Sequence, residues 1–471
     1  MSGPQVGCFG ALFRRKQVSH RTTIKPTNHQ SRPHSASPAV VGCIEPRGTK
    51  CHYLTACDHS YTDASNWWLS TDVQPPAYSS GDHGNLQTAI DSKLDELEPE
   101  LRELSLQIHG HPELAFAETF AHDVLASFMA SHGFSVTRNY LGLPTAFRAE
   151  FTHGKDGRIL GVNSEYDALK GLGHACGHNL IAVSGCGVAL AVKAALEAQD
   201  IPGKVVLLGT PAEEGGGGKV ILLEKGGYKD MDVCVMCHPS PGPAHSANIG
   251  TSIAAQNIEV EYIGRTAHAG AAPWEGTNAL DAAFLAYSSV SVLRQQMKPD
   301  HRVHGIIEGN NNWAPNDYAK MRWMVRAPSP DELTAFVERV KRCFEAAAHA
   351  TSCEMNIDIA LPYFNLNQNQ VLGREFSDVI MNRYGMSTTL KDGSASTDFG
   401  NVSYALPALH PGFAIPTEPN GGNHTIGFTR AAASEEAHAA TMLVTRGLAH
   451  TGFRALRDDD FFEQVKKSFK S

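Results

Sequence analysis

The chain has 471 residues, more than one hydrophobic core usually holds, so two folded domains are expected. Its 42% hydrophobic and 19% charged residues are typical of a globular protein, while the formal net charge of -9 argues against nucleic acid as a partner. No apolar run approaches the roughly 20 residues of a membrane span, so no membrane partner is predicted. The ten cysteines lack the spacing of a disulfide scaffold and favour a reducing compartment.

The first 85 residues differ from the rest of the chain. Residues 1–44 contain no Asp or Glu but carry basic residues among Ser, Thr, Pro and His, namely Arg14, Arg15, Lys16, Arg21, Lys25 and Arg32. A disordered tail or a mis-assigned start codon is the favoured interpretation, and an organelle presequence is the alternative. The segment lacks the long apolar region of a secretory signal. We therefore predict a disordered extension and linker over residues 1–85 of a cytoplasmic protein.

Folded structure is expected from about residue 85. The predicted helices cover residues 94–108, 119–132 and 180–198, and the predicted strands cover 158–163, 204–209 and 232–237. Each predicted strand leads into a polar turn that contains Asp, Glu or His. Strand and helix alternate here, and open α/β sheets place their functional sites at the carboxyl ends of their strands. The sequence therefore predicts an α/β domain with a site at one sheet edge.

The pattern changes over residues 252–361. Predicted strands over 253–262, 317–326 and 353–359 alternate with predicted helices over 278–297 and 331–350. This β-α-β-α-β order suits a small two-layer α+β insertion. Two further helices, over 375–384 and 434–447, return the chain to the first domain. We predict a discontinuous domain formed by 86–251 and 362–471, with 252–361 inserted into it.

A thiol and an imidazole stand two residues apart in Cys176-Gly177-His178. By itself such a pair is more often a buried thiol beside a structural histidine. Here it lies in a glycine-rich turn just before a predicted helix, where the helix N-terminus favours a thiolate. The position therefore points to a metal or catalytic site.

Two adjacent carboxylates, Glu213 and Glu214, follow the second predicted strand and precede four glycines. Glutamate pairs are common on surfaces, but two anions held together at a strand end are costly without a nearby cation. A thiolate, an imidazole and a carboxylate pair suit a hydrolytic metal centre, in which one carboxylate binds the metal and the other moves a proton of water. We therefore predict a metal-dependent amide hydrolase.

Residues from about 88 to 450 resemble the zinc aminoacylase and carboxypeptidase family in its amidohydrolase branch, which includes auxin-conjugate hydrolases and aminobenzoyl-glutamate hydrolase. Several motifs carry the resemblance in chain order: Asp167-Ala-Leu, His174-Ala-Cys-Gly-His178-Asn, Pro211-Ala-Glu-Glu214-Gly, Cys237-His238-Pro, Gly264-Arg-Thr-Ala-His268-Ala and Asn423-His424. The sequences that begin at Glu165 and Gly173 are most similar to those of the β-alanyl dipeptidase-like members.

The resemblance implies a zinc-exopeptidase-like fold of class α/β. A mixed sheet flanked by helices would form the catalytic, metal-binding domain, and a two-layer α+β domain for dimerisation and lid closure would be inserted into it. Two divalent metal ions are implied, Zn²⁺ or Mn²⁺ with Co²⁺ as a further option. Their implied ligands are Cys176, His178, Glu214, His238 and His424.

The resemblance also implies roles beyond metal binding. Glu213 matches the general base that takes a proton from the attacking water, and Asp167 matches a residue that orients a ligand. Glu165 stands where sister branches carry a ligating histidine, which suggests that Cys176 and His178 took over part of the metal binding.

Three residues of the insertion match positions that contact the substrate. His268 matches an oxyanion donor that reaches across a homodimer, although a surface histidine is the alternative. Asn312 and Arg326 match substrate-positioning residues, and an arginine can grip a carboxylate with two hydrogen bonds. For Arg326 an ordinary surface ion pair is an equal alternative.

The resulting prediction is hydrolysis of an amide bond in a small dipeptide or N-acyl amino acid with a free carboxylate, with β-alanyl or basic dipeptides favoured. An N-acyl amino acid hydrolase or an aryl or auxin-conjugate amidohydrolase is the alternative among enzymes. The alternative of another class is a catalytically idle relative that binds a metabolite or a partner. The complete set of ligands and Glu213 argue against that last alternative.

Overall fold

The computed structural model describes residues 83–309 and 317–470, and the structural statements below concern these residues. The predicted extension over 1–85 lies almost wholly outside them, as does Asn312. The helices are α1 His83–Gly110, α2 Thr119–Ser131, α3 His178–Gln199, α4 Gly218–Glu224, α5 Ala279–Leu293, α6 Pro330–Thr351, α7 Gln370–Tyr384, α8 Phe399–Ala405, α9 Ile426–Ala432, α10 Glu435–Arg457 and α11 Asp459–Lys470. The strands are β1 Ser135–Arg138, β2 Phe147–His153, β3 Arg158–Glu165, β4 Gly203–Thr210, β5 Val233–Val235, β6 His238–Pro241, β7 Ser246–Asn248, β8 Ala254–Ile263, β9 Arg302–Gly309, β10 Tyr318–Ala327, β11 Glu354–Ile359, β12 Ser387–Thr389, β13 Ala408–Leu409 and β14 Gly412–Ile415.

A six-stranded mixed sheet in the order β1-β2-β4-β3-β5-β13 carries the larger part of the fold. Strands β4, β3, β5 and β13 run parallel, and β2 and β1 join antiparallel at one side. In the register of β3 with β4, Glu165 pairs with Thr210. Because both strands end at the same edge, the polar turns that follow them lie side by side.

Alternation along β4 shows that the sheet is covered on both faces. Val205 and Leu207 belong to the larger core, to which α1, α3, α7 and α10 contribute. Val206 and Leu208 belong to a smaller core with α4 and α8. Because successive side chains of a strand point to opposite faces, this apolar strand has to be buried on both sides.

Helix α3 is the one described helix that is long and apolar enough to cross a membrane by length and composition. Within the protein, 89% of its most apolar window is buried. Helices α1 and α10 and strand β3 pack against it. The apolar character of α3 is therefore accounted for by its place in the core.

A second, four-stranded sheet has the order β11-β8-β10-β9 and is antiparallel throughout. Helices α5 and α6 pack on it and share a separate core that includes Ile258, Trp323 and Phe344. The start of α6 is fixed by the Ser329 hydroxyl, which accepts a hydrogen bond from the Glu332 backbone N–H. These elements lie inside the segment predicted as an insertion, whose boundaries stay a prediction.

Strand β9 is missing from the predicted β-α-β-α-β order, so that order was wrong by one strand. Gly305 interrupts the apolar pattern of this segment. A Cβ atom at Gly305 would lie 2.3 Å from Cδ2 of Trp323, so the indole ring requires glycine there. Gly305 therefore weakens the strand pattern in the sequence, and it is required there by the packing of the Trp323 ring of strand β10.

The predicted end of the last helix at residue 447 was also wrong, because α10 continues to Arg457. A Cβ atom at Gly447 would lie 2.4 Å from Cγ2 of Ile380. Gly447 therefore permits close packing of α10 on α7 and does not end the helix. A third sheet, β12-β7-β14-β6, and helix α11 were not predicted.

Candidate metal centre

Five predicted ligands meet at the carboxyl edge of the six-stranded sheet. Cys176 precedes α3 and His178 is its first residue, Glu214 follows β4, His238 begins β6 and His424 precedes α9. Two backbone features hold this arrangement. Gly177 has a φ of 78°, and a Cβ atom there would lie 2.6 Å from Cγ of Pro239. The His424 backbone N–H donates to the carbonyl of Ala175 at 2.8 Å, which ties the last predicted ligand to the first.

The donor atoms fall into three groups, and within each group they lie within 4.8 Å of one another. The groups are Cys176 with His178 and His238, Cys176 with Glu214 and His424, and His178 with Glu213 and Glu214. The Cys176 Sγ lies 3.3 Å from the His238 Nε2, and the His424 Nε2 lies 3.3 Å from the Glu214 Oε1. Because Cys176 belongs to two groups, the arrangement can place a thiolate between two ions.

The buried Nε2 of His178 shows how well a cation fits this cluster. It has no hydrogen-bond partner among the described residues. Its neighbouring carboxylate oxygens lie too far away for a hydrogen bond, at 3.6 Å for Glu165, 3.9 Å for Glu213 and 4.0 Å for Glu214. A buried ring nitrogen facing carboxylates across such a gap suits a divalent ion, and the sulfur, nitrogen and oxygen donors are those that zinc accepts.

Asp167 sets the orientation of His178. One carboxylate oxygen of Asp167 lies 3.0 Å from the His178 Nδ1, and the other accepts the Glu214 backbone N–H at 2.9 Å. Burial by itself lowers the pKa of His178, but the Asp167 charge raises it well above its usual range. The contact turns the opposite ring nitrogen toward the cluster, which is the arrangement expected for a residue that orients a ligand.

The Cys176 thiol behaves differently from the sequence-based expectation. Burial and the nearby Glu214 charge raise the pKa of Cys176 well above its usual range. The start of helix α3 therefore does not suffice to hold a thiolate in this buried position. The ionised sulfur depends on a cation beside it, because a coordinating metal deprotonates a thiol.

Glu213 and Glu214 differ although they are adjacent. Glu214 lies beside His424; burial raises its pKa, but the hydrogen bond with His424 outweighs this and lowers it. Burial and the charges of Glu165 and Glu214 raise the pKa of Glu213 well above its usual range. Two neighbouring carboxylates with opposite shifts are suited to different tasks.

A cavity of about 350 Å³ opens over this cluster. Glu213, Glu214, Cys176, His238 and His424 line it on one side, and Arg326 of β10 lines it as well. The Arg326 guanidinium donates to the Ser396 hydroxyl at 2.8 Å and to the Ser394 carbonyl at 3.2 Å. The structure therefore brings the predicted carboxylate-binding arginine to the same cavity as four of the five predicted ligands.

His268 does not lie among the residues that line this cavity. It is exposed, and its Nδ1 accepts the backbone N–H groups of Gly270 and Ala271 at 3.2 and 3.0 Å. The proton is thereby assigned to Nε2, which can donate a hydrogen bond. A single chain does not bring His268 to the cluster, and the role predicted for it across a dimer stays a prediction.

A buried charge triad lies next to the cluster and was not predicted. The Lys219 Nζ lies 2.6 Å from an oxygen of Glu165 and 2.6 Å from an oxygen of Asp398, and all three side chains are inaccessible to solvent. Asp398 also accepts the Lys219 backbone N–H at 2.9 Å. Lys219 thus holds the carboxylate of Glu165, for which the family resemblance implies a ligating histidine in sister branches.

Glu118, at the start of α2, is a second buried carboxyl group that the sequence did not reveal. Its two oxygens contact the Thr145 hydroxyl at 2.8 Å and the Ala212 backbone N–H at 2.9 Å. Burial, reinforced by the charge of Asp167, raises the pKa of Glu118 to about 7. The group therefore stays protonated in the folded protein at a pH where it is ionised in the unfolded chain.

This pKa predicts a pH-dependent stability. Between pH 4.5, the ordinary pKa of the group, and about 7, the unfolded state loses the proton first, so stability falls as pH rises and levels off above the folded pKa. We expect the wild-type protein to lose about 3 kcal/mol of folding stability across this window. Glu118→Gln, whose amide can donate to Thr145, should not show this loss, because glutamine does not titrate. Urea midpoints of both proteins across the window test this expectation. Parallel curves for the two proteins would contradict it.

Comparison with known proteins places the chain in a family. Residues 121–442 match the model of peptidase family M20/M25/M40. The chain is 41% identical over 416 residues to the Xaa-Arg dipeptidase of Mus musculus, an alignment that covers 84% of this chain and 95% of that protein. It is 33% identical over 284 residues to one of the subunits of the p-aminobenzoyl-glutamate hydrolase of Escherichia coli, covering 56% of this chain and 58% of the relative.

Solved structures share the fold. An aminobenzoyl-glutamate utilization protein from Klebsiella pneumoniae superposes with a TM-score of 0.63 at 18% identity, covering 78% of this chain and 99% of that chain. The Bacillus subtilis YXEP protein, a dinuclear metal binding peptidase, gives a TM-score of 0.58 at 18% identity, covering 77% and 99%. The α/β fold class is thereby confirmed. The chain belongs to peptidase family M20/M25/M40 and is a metallo-amidohydrolase.

Proposed function

We propose that this protein cleaves the amide bond of small dipeptides that carry a free carboxylate, with β-alanyl or basic dipeptides as the favoured substrates. One observation carries the proposal: four of the five predicted ligands, together with Glu213 and Arg326, line one cavity of about 350 Å³. A cavity of this size suits a dipeptide-sized ligand. Arg326 can then bind the substrate carboxylate while the amide bond lies against the cluster.

Glu213 is the group best placed to move protons in this cavity. Divalent ions bound by the cluster would polarise the substrate carbonyl and lower the pKa of water. Glu213 would accept the proton of the attacking water and pass it to the departing amine. Its buried position keeps bulk water from competing for that proton, and Asp167 holds His178 and the Glu214 backbone in place beside it.

The preference for dipeptides with a basic residue rests on the relatives. The Xaa-Arg dipeptidases of Mus musculus and Homo sapiens are both 41% identical to this chain over most of its length. The aminobenzoyl-glutamate hydrolase relative is less similar and covers less of the chain. An N-acyl or aryl-conjugate substrate is therefore the second candidate within the same enzyme class.

We further propose two divalent ions per chain. Three imidazoles, one thiol and one carboxylate provide enough donors for two ions that share Cys176. Thiolate and imidazole donors favour Zn²⁺, whereas carboxylate oxygens also accept Mn²⁺, with Co²⁺ as a further option. Metal analysis of the purified protein by mass spectrometry, with Cys176→Ala as comparison, tests both the number and the identity of the ions.

Amine release from a panel of substrates tests the proposed function. The panel contains β-alanyl-lysine and related basic dipeptides, N-acetyl amino acids, aminobenzoyl-glutamate and indole-acetyl amino acids, each with zinc- or manganese-loaded protein and with Glu213→Gln as control. Cleavage of basic dipeptides supports the proposal. Cleavage of another class alone would replace the substrate assignment. No cleavage of any substrate, by a protein that also retains no metal after loading with zinc or manganese, would favour a binding protein.

We also propose a homodimer formed through the segment inserted at residues 252–361. Apolar side chains are exposed there, including Phe284 and Val292 on one face of α5, at 59% and 75% exposure, and Ile306 of β9, at 56%. Among the residues that the structure describes, strand β9 lies at the edge of its sheet. Such a patch beside an open edge strand favours association with a second copy. It would also bring His268 toward another chain.

We expect the double variant Phe284→Glu, Val292→Glu to be monomeric, because two charges would be buried at the proposed interface. Light scattering of the variant and of Met381→Glu, an exposed apolar position on α7, provides the comparison. If His268 acts across the dimer, the monomeric variant should also lose about 10²- to 10³-fold in kcat. A wild-type protein that is monomeric at assay concentration would rule out the proposed dimer.

The cytoplasmic location stays a proposal, with an organelle presequence in residues 1–85 as the alternative. Sequencing the N-terminus of the protein isolated from cells distinguishes them. An intact Met1 would remove the idea of a cleaved presequence, whereas a mature start within residues 1–85 would support it.

A further inference from the structure

The turn that carries Glu213 and Glu214, residues 212–217, adopts an unusual backbone conformation. Ala212 has a φ of 60°, in the left-handed region that non-glycine residues rarely adopt, and Gly217 has a φ of 66°. Such a backbone persists only where its surroundings hold it. Within this turn, called the glutamate turn below, the backbone N–H groups of Gly216 and Gly217 donate to the Ala212 carbonyl at 3.0 and 2.9 Å, and side chains from outside the turn add further contacts.

Side chains from three separate elements hold the glutamate turn. Glu118 of the α2 start accepts the Ala212 backbone N–H, and Asp167 after β3 accepts the Glu214 backbone N–H. The third side chain is Tyr363, which lies beyond the end of β11. The first two belong to the same domain as the turn, whereas Tyr363 stands where the chain leaves the four-stranded sheet.

The Tyr363 hydroxyl contacts the glutamate turn at both ends. It donates to the carbonyl oxygen of Glu213 at 2.7 Å and accepts the backbone N–H of Gly217 at 2.8 Å. Burial raises the pKa of Tyr363 well above its usual range, so the hydroxyl keeps its proton and remains a donor. Its donor and one acceptor site are thus both used on the backbone of the turn.

The backbone of Tyr363 is fixed at the crossing, the place where the chain passes between the six-stranded sheet domain and the four-stranded sheet. Its N–H donates to the carbonyl of Ala255 at 2.8 Å, and the Ala255 N–H donates to the carbonyl of Tyr363 at 2.9 Å. Ala255 lies in β8, the strand by which the chain enters the four-stranded sheet, and Tyr363 follows β11, the strand by which it leaves. The Tyr363 side chain therefore connects this crossing directly to the backbone of Glu213.

We propose that Tyr363 is a positioning residue that couples the placement of the four-stranded sheet to the alignment of Glu213. Arg326 lies on that sheet, so the Tyr363 side chain would also fix the position of Arg326 relative to Glu213. The inference rests on the proposed function of Glu213 as the proton-transfer group. Displacing a catalytic group by about 1 Å is enough to lower a rate about 10²-fold, so loss of this connection should affect turnover more than binding.

Tyr363→Phe tests the inference because it keeps the ring and removes both hydrogen bonds. We expect kcat for a cleaved dipeptide to fall about 10- to 100-fold, with KM within about twofold of wild type and unchanged bound metal. Amide hydrogen exchange in residues 213–217 should become faster in the variant, which is a readout independent of activity. Tyr404→Phe, which removes a hydroxyl bond from α8 to Asn365, is the matched control and should change neither quantity.

Unchanged kcat together with unchanged exchange in Tyr363→Phe would overturn the inference. A rise in KM with unchanged kcat would also overturn it, because that pattern indicates weakened substrate binding and not misalignment of Glu213. Failure of the proposed function appears separately. In that case metal-loaded wild-type protein cleaves no substrate of the panel, whatever the exchange of the variant shows.

Discussion

Glu213→Gln is expected to lower kcat by about 10²- to 10⁴-fold while leaving the bound metal unchanged. The substitution keeps the size of the side chain but removes its capacity to accept a proton. Glu213 lines the cavity, and burial together with the neighbouring carboxylates raises its pKa, as suits a group that holds and releases a proton beside the cluster. Turnover rates and metal content of the variant, measured on the same sample, test this expectation.

The adjacent Glu214 provides the control for this result. Glu214→Gln weakens a predicted ligand, so it should lose metal as well as activity. The two substitutions are chemically identical and one residue apart, and they separate proton transfer from metal binding. Full turnover by Glu213→Gln, or metal loss equal to that of Glu214→Gln, would contradict the assignment of Glu213.

Lys219→Met is expected to destabilise the protein by about 3–5 kcal/mol. Lys219 is inaccessible to solvent and is paired with Glu165 and Asp398 at 2.6 Å each. Burial by itself lowers the pKa of Lys219, but the two carboxylates raise it well above its usual range, so the group is a cation in the folded protein. Removing it leaves two carboxylates buried without their counter-ion.

Urea denaturation of Lys219→Met and Lys298→Met gives the comparison. Lys298 pairs with Glu332 at 2.9 Å but is largely exposed, so its loss should cost no more than about 1 kcal/mol. Equal, small losses for both variants would show that the buried triad contributes little. Because Glu165 lies beside His178, metal content of Lys219→Met should be measured together with stability.

The sequence allowed the prediction of elements whose signals are local. The helix predicted over 331–350 corresponds to α6, Pro330–Thr351, and its start is marked locally by Ser329, Pro330 and Glu332. His238 and His424 were predicted as ligands only through the family resemblance, whereas Cys176 with His178, and Glu213 with Glu214, are close neighbours in the chain and indicated a metal site by themselves. Such features need no knowledge of distant partners.

The parts that the sequence did not reveal depend on distant partners. Strand β9 contains a glycine because the Trp323 ring lies over it, and α10 contains Gly447 because α7 packs there. The triad of Lys219, Glu165 and Asp398 joins three distant segments, and each residue alone resembles an ordinary surface charge. Tyr363 likewise acquires its contacts only through the crossing of the two sheets.

The order of the donors along the chain has a consequence for how the protein is made. Cys176 lies in the first half of the chain, whereas His424 is supplied only after β14 and depends on a hydrogen bond back to Ala175. The cluster can thus close only after residue 424 has left the ribosome, because one of its donors is not available before then. A chain truncated before His424 would therefore hold an incomplete set of donors, however well its six-stranded sheet had formed.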